Sequence, residues 1–309
     1  MSTPVYGENK GRKPSLVFKE TRAKADIYTV EARSLLNKAT GFMAAYDFTL
    51  NPYRGCQYGC SYCYAAAFSP DLQKRQDWGS WVIIKANAVS ILQKELARWQ
   101  KRHPAPPRIY MSSVTDPYQP IEKQQQLTRQ LLRVMLAYQP ILVIQTRSPA
   151  IVRDLDLLQQ FHHLRINLSI PTGSEAVRKD FEPRSPSIKA RLQTINKLRY
   201  SLASNYQHQI RFAVTITPLL PTLLTDRDYF FSQLVGLDRI VLQEFHSSNK
   251  RSLVASTRSE AIALKQKYSW WYDNEQQSYR QFKQYLQKYL IACSSSVEIK
   301  EGKAGFAYD

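Results

Sequence analysis

From about residue 46 to residue 245 the chain alternates between two hydrophobic rhythms. Short apolar runs rich in β-branched residues stand at Phe48–Leu50, Ile109–Ser112, Ile141–Thr146, Leu164–Ile170, Ile210–Ile216 and Arg239–Gln243. Runs as continuous as Ile141–Ile144 suit strands covered on both faces, as in a parallel sheet. Helical stretches lie between them. Ala88–Gln100 places Val89, Leu92, Leu96 and Trp99 on one stripe, and Leu127–Ala137 does the same with Leu127, Leu131, Val134 and Met135. Ile188–Leu202 repeats the spacing with Ile188, Leu192, Ile195 and Leu198. This alternation predicts right-handed βαβ units. Six strands are too few for a complete eight-stranded barrel. The expected fold class is α/β, a partial (β/α)6 barrel with a C-terminal helical extension; a plain doubly wound sheet is the alternative.

The rhythm stops at both ends, which suggests three units. Residues 1–40 read as a basic arm carrying Lys10, Arg12, Lys13, Lys19, Arg22 and Lys24. Residues 41–245 form the expected partial barrel, and residues 246–309 an extension. Within the extension, Asn274–Leu290 reads as one helix with Tyr279, Phe282, Leu286 and Tyr289 on a face. Trp270-Trp271-Tyr272 is expected to anchor that helix by packing. The prolines of Lys101–Pro107 make a stiff surface connection.

With 43% hydrophobic and 22% charged residues, the chain can form a core. No apolar run approaches the ~18–20 residues of a membrane span. The opening Met-Ser-Thr-Pro-Val-Tyr-Gly has no apolar signal stretch, so a soluble cytoplasmic protein is expected. Charge changes the picture more. Lys and Arg number 43 against 25 Asp and Glu, a net +18. Such an excess attracts polyanions or acidic proteins. Neither G-x-x-x-x-G-K-[ST] nor G-x-G-x-x-G occurs, so the ordinary nucleotide-binding fingerprints are missing.

Three of the four cysteines, Cys56, Cys60 and Cys63, crowd into eight residues, while Cys293 stands alone. The stretch Asn51-Pro52-Tyr53-Arg54-Gly55-Cys56-Gln57-Tyr58-Gly59-Cys60-Ser61-Tyr62-Cys63-Tyr64 follows directly on the first barrel strand. Thiolates are soft ligands that favour iron–sulfur clusters, zinc or copper(I). Structural zinc prefers four Cys or His ligands in paired spacings, and no second C-x2-C pair exists. A cubane fully held by protein needs four cysteines. With three local, one iron is left open for a small molecule; Cys293 completing a site through the fold is the other arrangement.

The spacing Cys56-x3-Cys60-x-Tyr62-Cys63 resembles the signature of the radical S-adenosylmethionine (radical SAM) superfamily. Asn51-Pro52-Tyr53-Arg54-Gly55-Cys56, with Thr115-Asp116-Pro117-Tyr118-Gln119-Pro120 downstream, resembles its spore photoproduct lyase-like branch; the likeness spans about residues 40–245. The resemblance implies a [4Fe–4S] cluster on Cys56, Cys60 and Cys63, with the open iron holding S-adenosylmethionine. Reductive cleavage of that cofactor would give a 5′-deoxyadenosyl radical that abstracts hydrogen from a substrate. It further implies Tyr62 against the adenine, and Ser113, Thr115 and Asp116 as acceptors for the amino group. Arg147 would fork onto the carboxylate, Ser169 would reach a ribose hydroxyl, and Arg184 would serve as a further cofactor contact. For Asp116 a plain turn, and for Arg184 an ion pair with Glu182, stand as structural alternatives. Glu122 either supports a loop near the mouth or starts a helix.

The branch also carries a cysteine near the end of the second strand that returns hydrogen to the product; this chain has Ser112 and Ser113 there. The expected partners are a low-potential donor such as a flavodoxin or ferredoxin and, from the basic excess, a nucleic-acid substrate. A positive face containing Arg54, Lys74 and Arg75 would steer such a donor. The competing reading is a non-catalytic iron–sulfur redox sensor or nucleic-acid-binding protein.

Overall fold

The computed structural model describes residues 16–22, 25–69, 72–202, 209–245 and 259–308. Lys10, Arg12, Lys13 and Lys24 of the basic arm, together with His208 and His246, therefore lie outside the described residues. Twelve strands are described: Val17–Arg22 (β1), Ala25–Val30 (β2), Leu36–Lys38 (β3), Phe48–Leu50 (β4), Tyr53–Arg54 (β5), Trp81–Lys85 (β6), Arg108–Met111 (β7), Ile141–Thr146 (β8), His163–Ser169 (β9), Gln209–Ile216 (β10), Arg239–Leu242 (β11) and Glu298–Glu301 (β12). They form an eight-stranded sheet, β12-β11-β10-β9-β8-β7-β4-β3, and a four-stranded one, β1-β2-β6-β5.

In the larger sheet β4, β7, β8, β9, β10, β11 and β12 are parallel, and β3 adds an antiparallel edge. The six runs read from the sequence are the six consecutive strands β4 and β7–β11. Apolar periodicity did not reveal β12, because Glu298–Glu301 alternates charge with a single Ile299. It pairs in parallel with β11. The extension is thus a helical layer that also feeds a strand back into the sheet.

The helices form where apolar spacing demands burial. Ala88, Leu92 and Leu96 are buried on Ala88–Gln100, and Leu127, Leu131, Leu132 and Met135 on Leu127–Leu136. Fully burying each leucine stabilises by about 1.5–3 kcal/mol. The last long helix spans Glu275–Ala292, burying Tyr279, Phe282, Leu286 and Leu290. Trp271 meets Phe282 edge-on, and Tyr272 meets Phe245, so the aromatic run is a packing anchor.

Strand alternation divides the parallel sheet into two faces. On β9, Leu164, Ile166 and Leu168 join the main core under the helices. Arg165, Asn167 and Ser169 point the other way and are equally buried. The opposite face is closed at the N-terminal ends of the strands by the chain's last residues. Phe306 and Tyr308 pack there with Tyr46, Tyr110, Val143 and Val241. Arg165 donates to the carbonyls of Phe306, Ala307 and Tyr308, and Arg239 donates to Ala307 at 2.6 Å. The smaller sheet sits beside the cysteine loop, because β5 immediately precedes Cys56 and pairs with β6.

Candidate cluster and cofactor site

The cysteine loop leaves β5 and returns across the C-terminal ends of the parallel strands. Two glycines make its path sterically feasible. Gly55, at φ +80°, lies so close to β6 that a Cβ would meet the Trp81 carbonyl oxygen at 2.5 Å. Gly59, at φ +56°, packs on the backbone of Gly79, where a Cβ would stand 3.0 Å from its Cα. Side-chain amides pin the same loop to the segment after β7. Gln119 Oε1 accepts from the Gln57 amide at 2.9 Å, and Gln57 Oε1 accepts from the Ile121 amide at 2.7 Å. Thr115 donates to the Gly55 carbonyl at 2.6 Å.

Cys56 and Cys60 are buried and Cys63 is half-buried. Burial pushes the Cys60 thiol up to about 12, with the Arg147 guanidinium working against it and Glu182 adding to it. Cys56 is raised by burial, then by Asp116 and the other two cysteines, so the three sulfurs share one electrostatic neighbourhood. Neutral thiols are therefore the stable form until cationic iron compensates the charge, and loading releases protons. Among the described residues no His, Cys, Asp and Glu side chains converge as a cage for one metal ion. A cubane makes a different demand, since each thiolate reaches its own iron. The soft three-donor set on one glycine-bent loop fits that group, while Cys293 is exposed at the C-terminal end of the Glu275–Ala292 helix, outside that loop. A fourth corner without a cysteine follows.

The residues expected to bind the cofactor gather around this loop, and an ion network joins Arg147, Tyr62 and the end of β9. Arg147, just past β8, donates from Nη1 to Cys60 Sγ at 2.7 Å and to Tyr62 Oη at 3.2 Å. Arg147 and Tyr62 both donate to Oε1 of fully buried Glu182, while Arg191 holds Oε2 at 2.5 Å. Burial opposes ionisation of Glu182, but Arg191 and Arg147 outweigh it and hold the carboxyl below its ordinary value. Arg191 also donates to the Ser169 carbonyl at 3.0 Å, tying the end of β9 to the network.

Asp116 is placed at the same mouth with its oxygens already engaged. Thr146 Oγ1 donates to it at 2.7 Å, and the amides of Tyr118 and Arg147 at 2.9 Å each. It is more than a turn former: it joins the ends of β7 and β8. Ser113 Oγ receives a hydrogen bond from Asn51 at 3.4 Å, and its carbonyl accepts from Tyr64. Arg184 donates to the Gly79 carbonyl at 2.6 Å, under the Gly59–Gly79 contact. Glu182 pairs with Arg147 and Arg191 in place of the Glu182–Arg184 pair considered above. Glu122 fills both roles considered for it: it begins the helix Glu122–Gln125 and accepts from Tyr53 and Arg153 behind the loop.

Sequence reasoning missed Arg191, Gln57 and Asn51. Arg191 did carry a signal: it falls three residues after Ile188, on the apolar stripe of its helix, where an unpaired charge would be costly. Asn51 stood in the quoted motif without a role, and Gln57 carried no signal, because their partners lie more than 60 residues away.

Comparison with known proteins agrees with this geometry. The model of the radical SAM superfamily matches residues 50–204. An uncharacterized protein of Methanocaldococcus jannaschii is 31% identical over 223 residues, covering 72% of this chain and 78% of that one. An uncharacterized protein of Mycobacterium bovis is 29% identical over 218 residues, covering 68% of this chain and 60% of its own length. In fold, the chain is similar to a spore photoproduct lyase variant with dinucleoside spore photoproduct, at TM-score 0.60 and 16% identity over 89% of this chain and 82% of that one. A further lyase variant, with bound AdoMet and dinucleoside spore photoproduct, matches at TM-score 0.59 and 16% identity over 88% and 81%. The chain belongs to the radical SAM superfamily and is an enzyme of that type, using a [4Fe–4S] cluster and S-adenosylmethionine.

Proposed function

We propose that the enzyme abstracts hydrogen from a nucleic-acid substrate. The observation that carries the chemistry is the buried three-cysteine loop, set over the C-terminal strand ends with Arg147 bonded to Cys60. When bound, the cluster and S-adenosylmethionine supply a reductively released 5′-deoxyadenosyl radical. The protein's own part is orientation and exclusion of water. Cys56, Cys60 and Cys63 hold the cluster. Tyr62, Ser113, Thr115, Asp116, Arg147, Ser169 and Arg184 form the wall available to the cofactor. Arg147 and Asp116 reach S-adenosylmethionine only by exchanging present bonds for new ones, while Glu182 keeps the guanidinium at the mouth.

Support for a polyanionic substrate is the net charge of +18 and the fold shared with a lyase seen with a dinucleoside. Phosphate contacts from Lys and Arg make such binding steeply salt-dependent. The lesion chemistry of that lyase is a poor match for this chain. Ser112 and Ser113 follow the end of β7, and Cys293 is exposed just after the Glu275–Ala292 helix. We therefore infer a different nucleic-acid substrate or a different hydrogen donor.

The test is anaerobic reconstitution followed by S-adenosylmethionine and dithionite. 5′-Deoxyadenosine is expected from the native protein, and Cys60→Ala should lose both iron and product. An intact cluster that never yields 5′-deoxyadenosine would instead support the redox-sensor reading. Oligonucleotide binding should weaken sharply from low to high salt; salt-insensitive or absent binding removes the substrate assignment.

A further inference from the structure

The inner face of the parallel sheet carries a layer of uncharged hydrogen-bonding groups that the cluster and cofactor wall leave unused. Gln145 on β8 pairs in register with Asn167 on β9, and Asn167 with the small Ala213 on β10. Tyr110 on β7 donates to Gln145 Oε1 at 2.9 Å, and Gln145 Nε2 donates to Thr215 Oγ1 at 2.7 Å, reaching across β9. Asn167 is fully buried and stands two residues before Ser169, about 7 Å below the end of its strand. The layer lies between two boundaries. On one side is the mouth, where Arg147 reaches Cys60; on the other is the C-terminal tail, where Phe306 meets the Tyr110 ring at 6.2 Å.

Chemistry decides which way the Asn167 amide points. Arg165 Nε donates to Asn167 Oδ1 at 3.1 Å, and a guanidinium has donors only, so the amide oxygen must face it. Arg165 is itself held by the carbonyls of Phe306, Ala307 and Tyr308. The opposite atom, Nδ2, is therefore a buried donor, and it has no hydrogen-bond partner. Burial raises the pKa of the Tyr110 hydroxyl, and nearby Asn167 works against that rise without bonding to it, so the phenol stays neutral. The arginines of this face are turned to the tail: Arg239 donates to the Ala307 carbonyl, and Arg211 lies 5.8 Å from the Tyr308 ring. A phosphate entering the layer would meet a phenol, two amides and a hydroxyl, with its charge unpaired and costly. A neutral group with an acceptor atom meets the donor it needs.

We propose that Asn167 is a specificity-determining residue, whose Nδ2 donates to an uncharged acceptor on a nucleobase (a ring carbonyl or ring nitrogen), while the phosphates stay outside this layer. The inference rests on the nucleic-acid reading above and deepens it. The C-terminal tail takes part at a distance: by fixing Arg165 it fixes the Asn167 oxygen, and so sets the polarity that the inner layer presents. A site built to complete a hydrogen bond rejects a ligand that leaves its buried group unpaired.

The experiment measures binding to the reconstituted full chain with S-adenosylmethionine and without reductant. Two single strands with the same phosphates are the probes: oligothymidylate and its abasic counterpart. The native protein should prefer the base-bearing strand by about tenfold, the worth of one buried hydrogen bond. Asn167→Asp keeps an oxygen for Arg165 and replaces the donor by an acceptor. Asn167→Leu removes the donor without adding charge, and takes the acceptor of Arg165 Nε away as well. Both variants should lose the preference, with abasic-strand binding within twofold of the native protein, and only the Leu variant should unfold at lower urea. A purely structural Asn167, or one bonded to water alone, would keep the preference in the Asp variant. Simple repulsion by the new charge would spare the Leu variant. Either result would overturn the proposal. Equal binding of the two strands by the native protein would overturn it too, leaving the nucleic-acid reading intact, whereas binding of neither strand would overturn both.

Discussion

Both ends of the parallel sheet are built on buried arginines, and the two ends use them in opposite ways. At the N-terminal end Arg165, 1% exposed, spends its donors on carbonyl oxygens of Phe306 and Tyr308 and on the Tyr46 hydroxyl. Its acceptors are carbonyls and a tyrosine hydroxyl with no carboxylate or thiol among them, so burial lowers its pKa, helped by neighbouring Arg239 and opposed by Tyr46, Tyr110 and Tyr308. At the C-terminal end Arg147 is half-buried beside fully buried Arg191, and its pKa is raised, because Cys60, Tyr62, Glu182 and Asp116 together outweigh desolvation. A charge held by carbonyls and tyrosine hydroxyls serves to hold structure together. A charge surrounded by ionisable acceptors responds to what binds beside it.

The contrast predicts effects on different observables. The largest change in stability is expected at the closed end. Arg165→Met removes one donor each from the carbonyls of Phe306, Ala307 and Tyr308, of which Phe306 keeps Tyr46 and Ala307 keeps Arg239, and a hydrogen bond from a charged group contributes about 1.5–3 kcal/mol. Urea unfolding should show a fall of about 3 kcal/mol or more, with iron content after reconstitution unchanged. Loss of iron without loss of stability would erase the distinction between the two ends.

Glu182→Gln tests whether the open end depends on ionisation. The native carboxyl is held below its ordinary value of about 4.3, so its contribution is complete above that pH and disappears as pH falls through the lower folded value. The variant should be about 2 kcal/mol less stable near neutrality, and the gap should close as pH falls below about 4. A constant gap would mean the charge of Glu182 has no part in it. The smallest effect on stability is expected from Arg147→Gln, whose readout is electrochemical. Losing a cationic donor to a cluster ligand should make the midpoint potential more negative, with Arg147→Lys intermediate. An unchanged potential would show that the 2.7 Å contact to Cys60 has no influence on the bound cluster.

Much of this was legible because it is local. The C-x3-C-x2-C spacing, the two loop glycines and the six apolar runs need only nearest neighbours in sequence to be recognised. Apolar periodicity likewise located Ala88–Gln100 and Ile188–Leu202, since each helix must bury one stripe wherever it docks. Charge and cysteine count excluded a disulfide scaffold and pointed to an anionic partner before any fold was known. Tertiary structure alone decided which polar side chains meet. Arg147 is 87 residues from Cys60 and 35 from Glu182, and Arg165 is 142 from Ala307. Such pairs leave no periodic trace, because a hydrogen bond requires only that two strands or loops end side by side. The strand β12 escaped for a related reason: its pairing depends on the backbone of β11, while its own side chains remain mostly polar.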